Sequence, residues 1–387
     1  MNIVMNFKVL ATLVLSVVLF SCSSSDNGSE PDAILGCTDP NSNNYNSEAT
    51  QDNGSCEYGT YVDLEIPVIF NNLLPAPLIP TNNSQTIEGI ALGRKLFYEP
   101  LLSGDGTQAC ADCHFAENAF TDPNQFSTGI DGSIGNRNAM PIYNVAWNFN
   151  EKFFWDGRAR NVEDQAFGPV VNPIEMNNTW PNAVASLQAT SIYPDLFFEA
   201  FGTSIIDSVL VVKAIAQFER TLISGNSRFD QYLLGDTNAI TAEELNGFNV
   251  FMDEDRGDCF HCHGSDANPL WTDNIFHNNG LDTSFLDNGL GIVTGDPLDN
   301  GKFKSPSLRN LAYSAPYMHD GRFETLEEVI NHYSEGLVFS ETIDPLMKNI
   351  ADGGAHINED DKADLKAFLL SLSEPEFTTN PDFQDPN

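Results

Sequence analysis

Residues 110–114 read CADCH and residues 259–263 read CFHCH. In C-x-x-C-H the two thiols bond the vinyl groups of a haem and the adjacent imidazole takes the iron. Two copies in one chain predict two covalently bound haem c groups. Cys110, Cys113 and His114 hold the first, and Cys259, Cys262 and His263 hold the second. One axial face of each iron is thereby assigned to His114 and to His263. What stands on the two opposite faces decides the chemistry.

A chain of 387 residues is long enough for two compact domains behind a processed front end, one per haem. Its 18 Lys and Arg against 55 Asp and Glu give a net charge of -37. That charge argues against nucleic acid and against an anionic membrane surface as partners, and it would attract a basic soluble protein. A solvated acidic surface suited to salty surroundings is the alternative reading.

The chain begins MNIVMNFKVLATLVLSVVLFSCSSS. Lys8, an apolar run over 9–20 and then Ser21 and Cys22 read as an export signal over 1–21. The end of the run resembles a bacterial lipoprotein signal in which Cys22 becomes the lipidated first residue. Phe20 departs from the small residue usual there, which keeps simple secretion open; the run is short for a spanning helix. The expected location is the periplasm or cell surface, with a lipid anchor in the outer membrane. The seven cysteines are then accounted for: Cys22 for lipid, four for haem, and Cys37 with Cys56 as a pair. An exported compartment permits that disulfide, worth about 3 kcal/mol of chain entropy. Residues 36–56, GCTDPNSNNYNSEATQDNGSC, resemble a short Cys-bounded module of exported proteins; their Asp and Asn suit either calcium or water.

Residues 22–61 are rich in Ser, Asn, Asp and Gly and read as a tether with one stapled loop. The spacing of apolar residues predicts helices over 87–99, 208–224, 241–252 and 359–372, the third opened by a Thr241/Glu244 capping box. No alternating strand run stands out. The expected fold is mainly α: two haem domains with long loops, at 62–228 and 229–376, and a tail at 377–387. In each half a helix leads into a C-x-x-C-H, and no further repeat is visible.

Between the motifs lie FSTGIDGSIGNRNAMPIYN (126–144), FFWDGRA (153–159) and GPVVNPIEMNN (168–178). After the second lies KSPSLRNLAYSAPYMHDGRFETLEEVINHY (304–333). In this order the blocks resemble the bacterial di-haem cytochrome c peroxidases and their relative MauG, from about residue 88 to 372. The resemblance implies two cytochrome c-like domains, a peroxide-binding haem in the first and an electron-storing haem in the second. Glu175 matches the distal acid that shuttles a proton between the oxygens of peroxide. Trp155 matches the tryptophan between the haems. Asn138, with the carbonyls of Ser314 and Pro316, matches a calcium site at the domain junction. His319 lies in a family block and is expected to order the loop near the second haem. His261 is expected to face solvent, and His277 and His356 carry no pattern.

Two positions depart from the peroxidase pattern. Many of those enzymes close the first haem with a second His; the matching place here is Ile130, and no His lies between His114 and His261. Met140 is the nearby soft ligand and reads as packing. At the second haem the usual Met is replaced by Tyr333, as in MauG, with His332, Met318 and Met347 as other candidates. The implied function is peroxide reduction with electrons from a small cytochrome-type donor, with a homodimer as a candidate assembly. A MauG-like oxidase acting on a protein side chain is the second reading. An electron-transfer di-haem cytochrome is the third, and it requires both irons to be six-coordinate.

Overall fold

Thr86 opens the first long helix by accepting a hydrogen bond from the Gly89 N–H (3.0 Å), and Ile87–Phe97 follows before Pro100 redirects the chain. The computed structural model describes residues 33–40 and 42–386, so the export signal and Cys22 lie outside the described residues. Helices and long connections make up the fold. The named strands among the described residues are two-residue pairs: Leu35–Gly36 parallel to Gln51–Asp52, and Phe276–His277 antiparallel to Phe303–Lys304. The expected mainly helical class is what the chain adopts.

The helices expected from sequence are present with small changes at their ends. Thr241 and Glu244 form the capping box of Ala242–Met252, and Asn358 caps Glu359–Ser371. The helix expected over 208–224 runs Ser208–Glu219. It stops early because Ser224 N–H and carbonyl are taken by the Asn144 side chain, and the Ser224 hydroxyl and the Gly225 N–H by Glu374.

The two halves share more than the haem motif. The helix Ile87–Phe97 packs on Ser208–Glu219, and Ala242–Met252 packs on Glu359–Ser371. Each crossing turns on a glycine. A Cβ on Gly93 would stand 1.8 Å from the Ala214 carbonyl oxygen, and one on Gly247 would stand 1.9 Å from that of Asp364. Four residues on, Phe97 meets Phe218 at 5.4 Å and Phe251 meets Phe368 at 5.2 Å. The pattern Gly-x-x-apolar-Phe in the leading helix is therefore repeated and serves the same crossing in both cores. Gly247→Val should force that pair apart and cost at least about 1–3 kcal/mol, read as a lower thermal midpoint of the haem-loaded protein.

One core gathers Leu96, Phe97, Phe120 and Phe218, and the other Phe229, Phe251, Trp271 and Phe368. Phe377 and Phe383, from the segment set apart as a tail, are buried in the first core against Phe120. The chain thus returns from the second half to finish the first. Cys37 and Cys56 are disulfide-bonded. The segment just after this loop is docked, since Thr60 donates from N–H and hydroxyl to Glu88 on the first helix (2.6 and 2.9 Å). Between the halves, Arg137 joins Asp156 (2.6 Å) to Asp287 (2.7 Å). Among the described residues no helix is long and apolar enough to cross a membrane.

Candidate haem centres and the junction between them

Cys110–Asp112 is one 3-10 turn, tied by the Ala109 N–H to Asp112 Oδ2 (2.8 Å), which presents Cys110, Cys113 and His114 in succession. His114 Nδ1 lies 2.8 Å from the Phe120 carbonyl oxygen. A carbonyl only accepts, so Nδ1 carries the proton and Nε2 keeps its lone pair for a metal. Ala119 and Phe120 both take positive φ (53° and 60°), which turns that carbonyl toward the ring. His263 repeats the device, with Nδ1 3.2 Å from the Pro306 carbonyl oxygen. Burial holds both imidazoles below the usual histidine range, His263 at about 4, so each is neutral at pH 7. Met140 meets His114 through its backbone.

Glu175 stands on the turn after the helix Val162–Val171. Asn172 Nδ2 donates to its Oε1 (2.6 Å), and its own carbonyl accepts from the Ile130 N–H (3.1 Å). The loop that carries Ile130 is thus fastened to the turn that carries the acid. Burial raises the Glu175 carboxyl above its ordinary value, against the Arg158 charge and the Asn172 hydrogen bond. Its charge in turn acts on Cys113, so the acid lies beside the first motif. Gln108 is there too, donating to the Thr128 carbonyl (2.8 Å) and to Cys113 Sγ (3.6 Å).

A cavity of about 220 Å³ is lined by Cys259, Cys262 and His263 and by Met318, Tyr333 and Met347. Tyr333 reaches it from a single π-helical turn, His332–Gly336, that ends the helix Leu326–Asn331. Its hydroxyl accepts from Asn279 Nδ2 (3.1 Å), which also approaches Met318 Sδ (3.5 Å). Burial pushes the phenol up to about 12. His332 is directed elsewhere: its Nε2 is 3.0 Å from the Asn279 carbonyl oxygen, and it does not line the cavity.

Trp155 is 8 % exposed and forms part of that wall. Its Nε1–H donates to the Asn138 carbonyl (2.9 Å), and its own carbonyl accepts from the Lys304 N–H (2.9 Å). Asn138 donates from Nδ2 to the carbonyls of Asp122, Asn124 and Gln125, and its N–H donates to the His319 carbonyl. The structure therefore ties Asn138 to the loop 122–125 and to His319. Ser314 is buried, and neither it nor Pro316 is among these partners. His319 stacks on Phe303 at 3.6 Å and meets Trp155 edge-on at 6.5 Å. His261 pairs with Asp258 (2.8 Å) and is partly exposed.

Some of the site had no signal in sequence. His277 is clamped between Asp344 (Nδ1, 2.7 Å) and Asp273 (Nε2, 2.8 Å) on the wall of the second cavity. Burial opposes its charge, but the two carboxylates win and hold the imidazolium up to about 12. Asn279 and Lys304 likewise line this cavity. Lys304 opens the block KSPSLRN, so its place was readable and its role was not.

A c-type haem suits these residues. Four thiols stay unbridged in pairs three apart, each pair is followed by a half-buried neutral imidazole, and the second set opens on a cavity with apolar walls. The model of the di-haem cytochrome c peroxidase family matches residues 87–238. MauG of Methylophilus methylotrophus is 35% identical over 301 residues, covering 77% of this chain and 85% of that protein. The chain belongs to the di-haem cytochrome c peroxidase and MauG family. The cytochrome c551 peroxidase of Nitrosomonas europaea is 32% identical over 316 residues, 81% of this chain and 86% of that one. Among solved structures, a MauG-like protein associated with microbial copper homeostasis superposes with a TM-score of 0.75 at 34% identity, covering 84% of this chain and 99% of that chain. The diheme peroxidase BthA of Burkholderia thailandensis shares the fold, with a TM-score of 0.66 at 23% identity over 79% of this chain and 92% of that chain. Membership makes the chain a haem c oxidoreductase, and its relatives include both peroxidases and MauG proteins.

Proposed function

We propose that this protein reduces hydrogen peroxide to water at the first haem, with two electrons delivered through the second from a small, basic redox protein. The observation that carries this is Glu175, a half-buried carboxyl beside the first C-x-x-C-H in a chain with no histidine from 115 to 260. A haem held by Cys110, Cys113 and His114 would supply a peroxide-binding iron and the redox equivalents for O–O cleavage. Glu175 accepts the proton of the near oxygen of peroxide and returns it to the far one, which leaves as water; two protons from solvent and the two donor electrons then convert the remaining oxygen to the second water. Asn172 fixes one oxygen of the carboxylate, and Arg158 offsets its charge. Trp155 stands in the wall of the second cavity as the aromatic step toward the first centre.

The deciding experiment pairs two readouts on the ferric two-haem protein. Electron paramagnetic resonance should give one high-spin and one low-spin iron, and reduced cytochrome c or ferrocyanide should sustain peroxide consumption. Two low-spin signals with no turnover would reject the proposal in favour of electron transfer alone. A high-spin iron without turnover would favour the second reading, a MauG-like oxidation of a protein side chain, which the placement of Tyr333 on the second cavity supports.

Tyr333 is the proposed sixth ligand of the second iron. A phenolate stabilises ferric iron and a thioether does not. Tyr333→Met should therefore raise the second midpoint potential by a sizeable part of the roughly 0.8 V that axial ligands span; an unchanged potential would exclude Tyr333. Calcium at Asn138 with the Ser314 and Pro316 carbonyls is part of the same proposal, assayed by chelation and calcium return. An export signal over 1–21 would carry the protein out of the cytoplasm, with Cys22 as the proposed lipid anchor; globomycin-sensitive processing would test it. A homodimer is tested by sedimentation.

A further inference from the structure

Lys304 stands apart from the other lysines of residues 229–376. Lys302, Lys348, Lys362 and Lys366 each pair with a carboxylate at hydrogen-bonding range. Lys304 has no ion pair or side-chain hydrogen bond among the described residues, in a chain with 55 acidic side chains to offer one. Its ammonium lies 5.6 Å from the ring centre of Phe153, and its side chain lines the cavity of the second motif. It also lines a smaller cavity at the junction with Met140, Tyr143 and Phe153 of the first half. Burial pushes the ammonium down to about 8, with no opposing contribution from a neighbour. Lys304 is half-buried, and a cation partly withdrawn from water with no counter-charge is costly, so such groups come with a partner.

The backbone fixes where that charge points. Lys304 N–H bonds the Trp155 carbonyl, and the next two residues hold His263, through Ser305 Oγ (3.4 Å) and the Pro306 carbonyl (3.2 Å). The side chain therefore sits at the edge of the second centre that faces the first domain. Haem brings two propionate carboxylates, which are anions of the required kind. We propose that Lys304 is the ion-pair partner of a propionate of the second haem, and that its charge raises the potential of that haem. This rests on the haem-bound reading of the cavity and is indifferent to whether peroxide is the substrate.

The test uses the two-haem protein with Lys304→Met and Lys304→Arg. Haem content should not change, because the thioether bonds are untouched. The expected result for Lys304→Met is a lower midpoint potential of the second haem alone, since losing a nearby positive charge favours the ferric state. The propionate bending mode in resonance Raman should shift with it, and Lys304→Arg should restore both. Unchanged potentials would overturn the proposal. A shift confined to the first haem would overturn the assignment, and a potential shift with an unmoved propionate mode would overturn the contact. Should Lys304→Met fail to fold, Lys304→Gln removes the charge while keeping a polar end, and the same outcomes apply. Absence of peroxide turnover in the parent protein, with both signatures responding in the variants, would sink the proposed peroxidase and leave this pair standing.

Discussion

Glu175→Gln is expected to lower peroxide turnover by about 10²–10⁴-fold, the usual worth of a positioned acid–base group, with both haems still attached. Gln keeps the size and the hydrogen bond to Asn172 while removing the group that takes the proton. The pH profile separates this from a packing effect. Burial outweighs Arg158 and Asn172, so the Glu175 pKa lies above the ordinary value of about 4.3. The base must be ionised to accept the peroxide proton, so kcat/KM should rise with pH through that raised pKa and then level. In the Gln variant the rise should vanish. A Gln variant that turns over at the parent rate would remove Glu175 from the mechanism.

Asp230→Ala is expected to cost about 3–5 kcal/mol of stability, because it strips the partner from a buried cation. Asp230 and Arg309 are both fully buried and meet through two 2.7 Å bonds. Asp230 also accepts from Ser227 N–H and hydroxyl (2.7 and 2.8 Å), closing the capping box of the helix Arg228–Leu233. Arg309 in turn donates to the Pro269 carbonyl, and its own carbonyl accepts from the Tyr143 hydroxyl of the first half. One carboxylate therefore supports a helix start and the contact between halves. Burial alone would raise its pKa; Arg309 and Ser227 outweigh it, and the net shift is downward. A depressed carboxyl contributes stability above its unfolded value of about 3.9 and loses it as pH falls through the lower folded value. Acid unfolding should therefore move to higher pH in the variant lacking the group only to the extent that other carboxylates carry the transition. The direct readout is the denaturant midpoint at pH 7, and a change below about 1 kcal/mol would be the size of a surface pair and would refute the argument.

What the residues alone made legible was local. C-x-x-C-H places every covalent attachment and one axial nitrogen of each haem within five residues, so no folding is needed to read it. Thr241 with Glu244, and the apolar spacing of Ile87–Phe97, specify helices through contacts three and four residues apart. The lack of a histidine between 115 and 260 is likewise a fact of order along the chain. The remainder is made by side chains that meet across long separations. Asp230 and Arg309 are 79 residues apart, and Asn279 and Tyr333 are 54 apart. Neither pair has a spacing rule, because the fold, not the helix or strand period, brings them together. The same holds for His277, unremarkable in sequence until two carboxylates from other turns enclose it. It holds for Phe377 and Phe383, which read as a tail until they fill the first core. His332 and Tyr333 are neighbours in the chain, and sequence offers both as ligands. The π-helical turn separates them in space, sending one ring to the Asn279 carbonyl and the other into the cavity. The sequence determined where the haems are joined to the chain; the packing of distant residues decided what surrounds them, because burial and charge pairing are properties of neighbours in space.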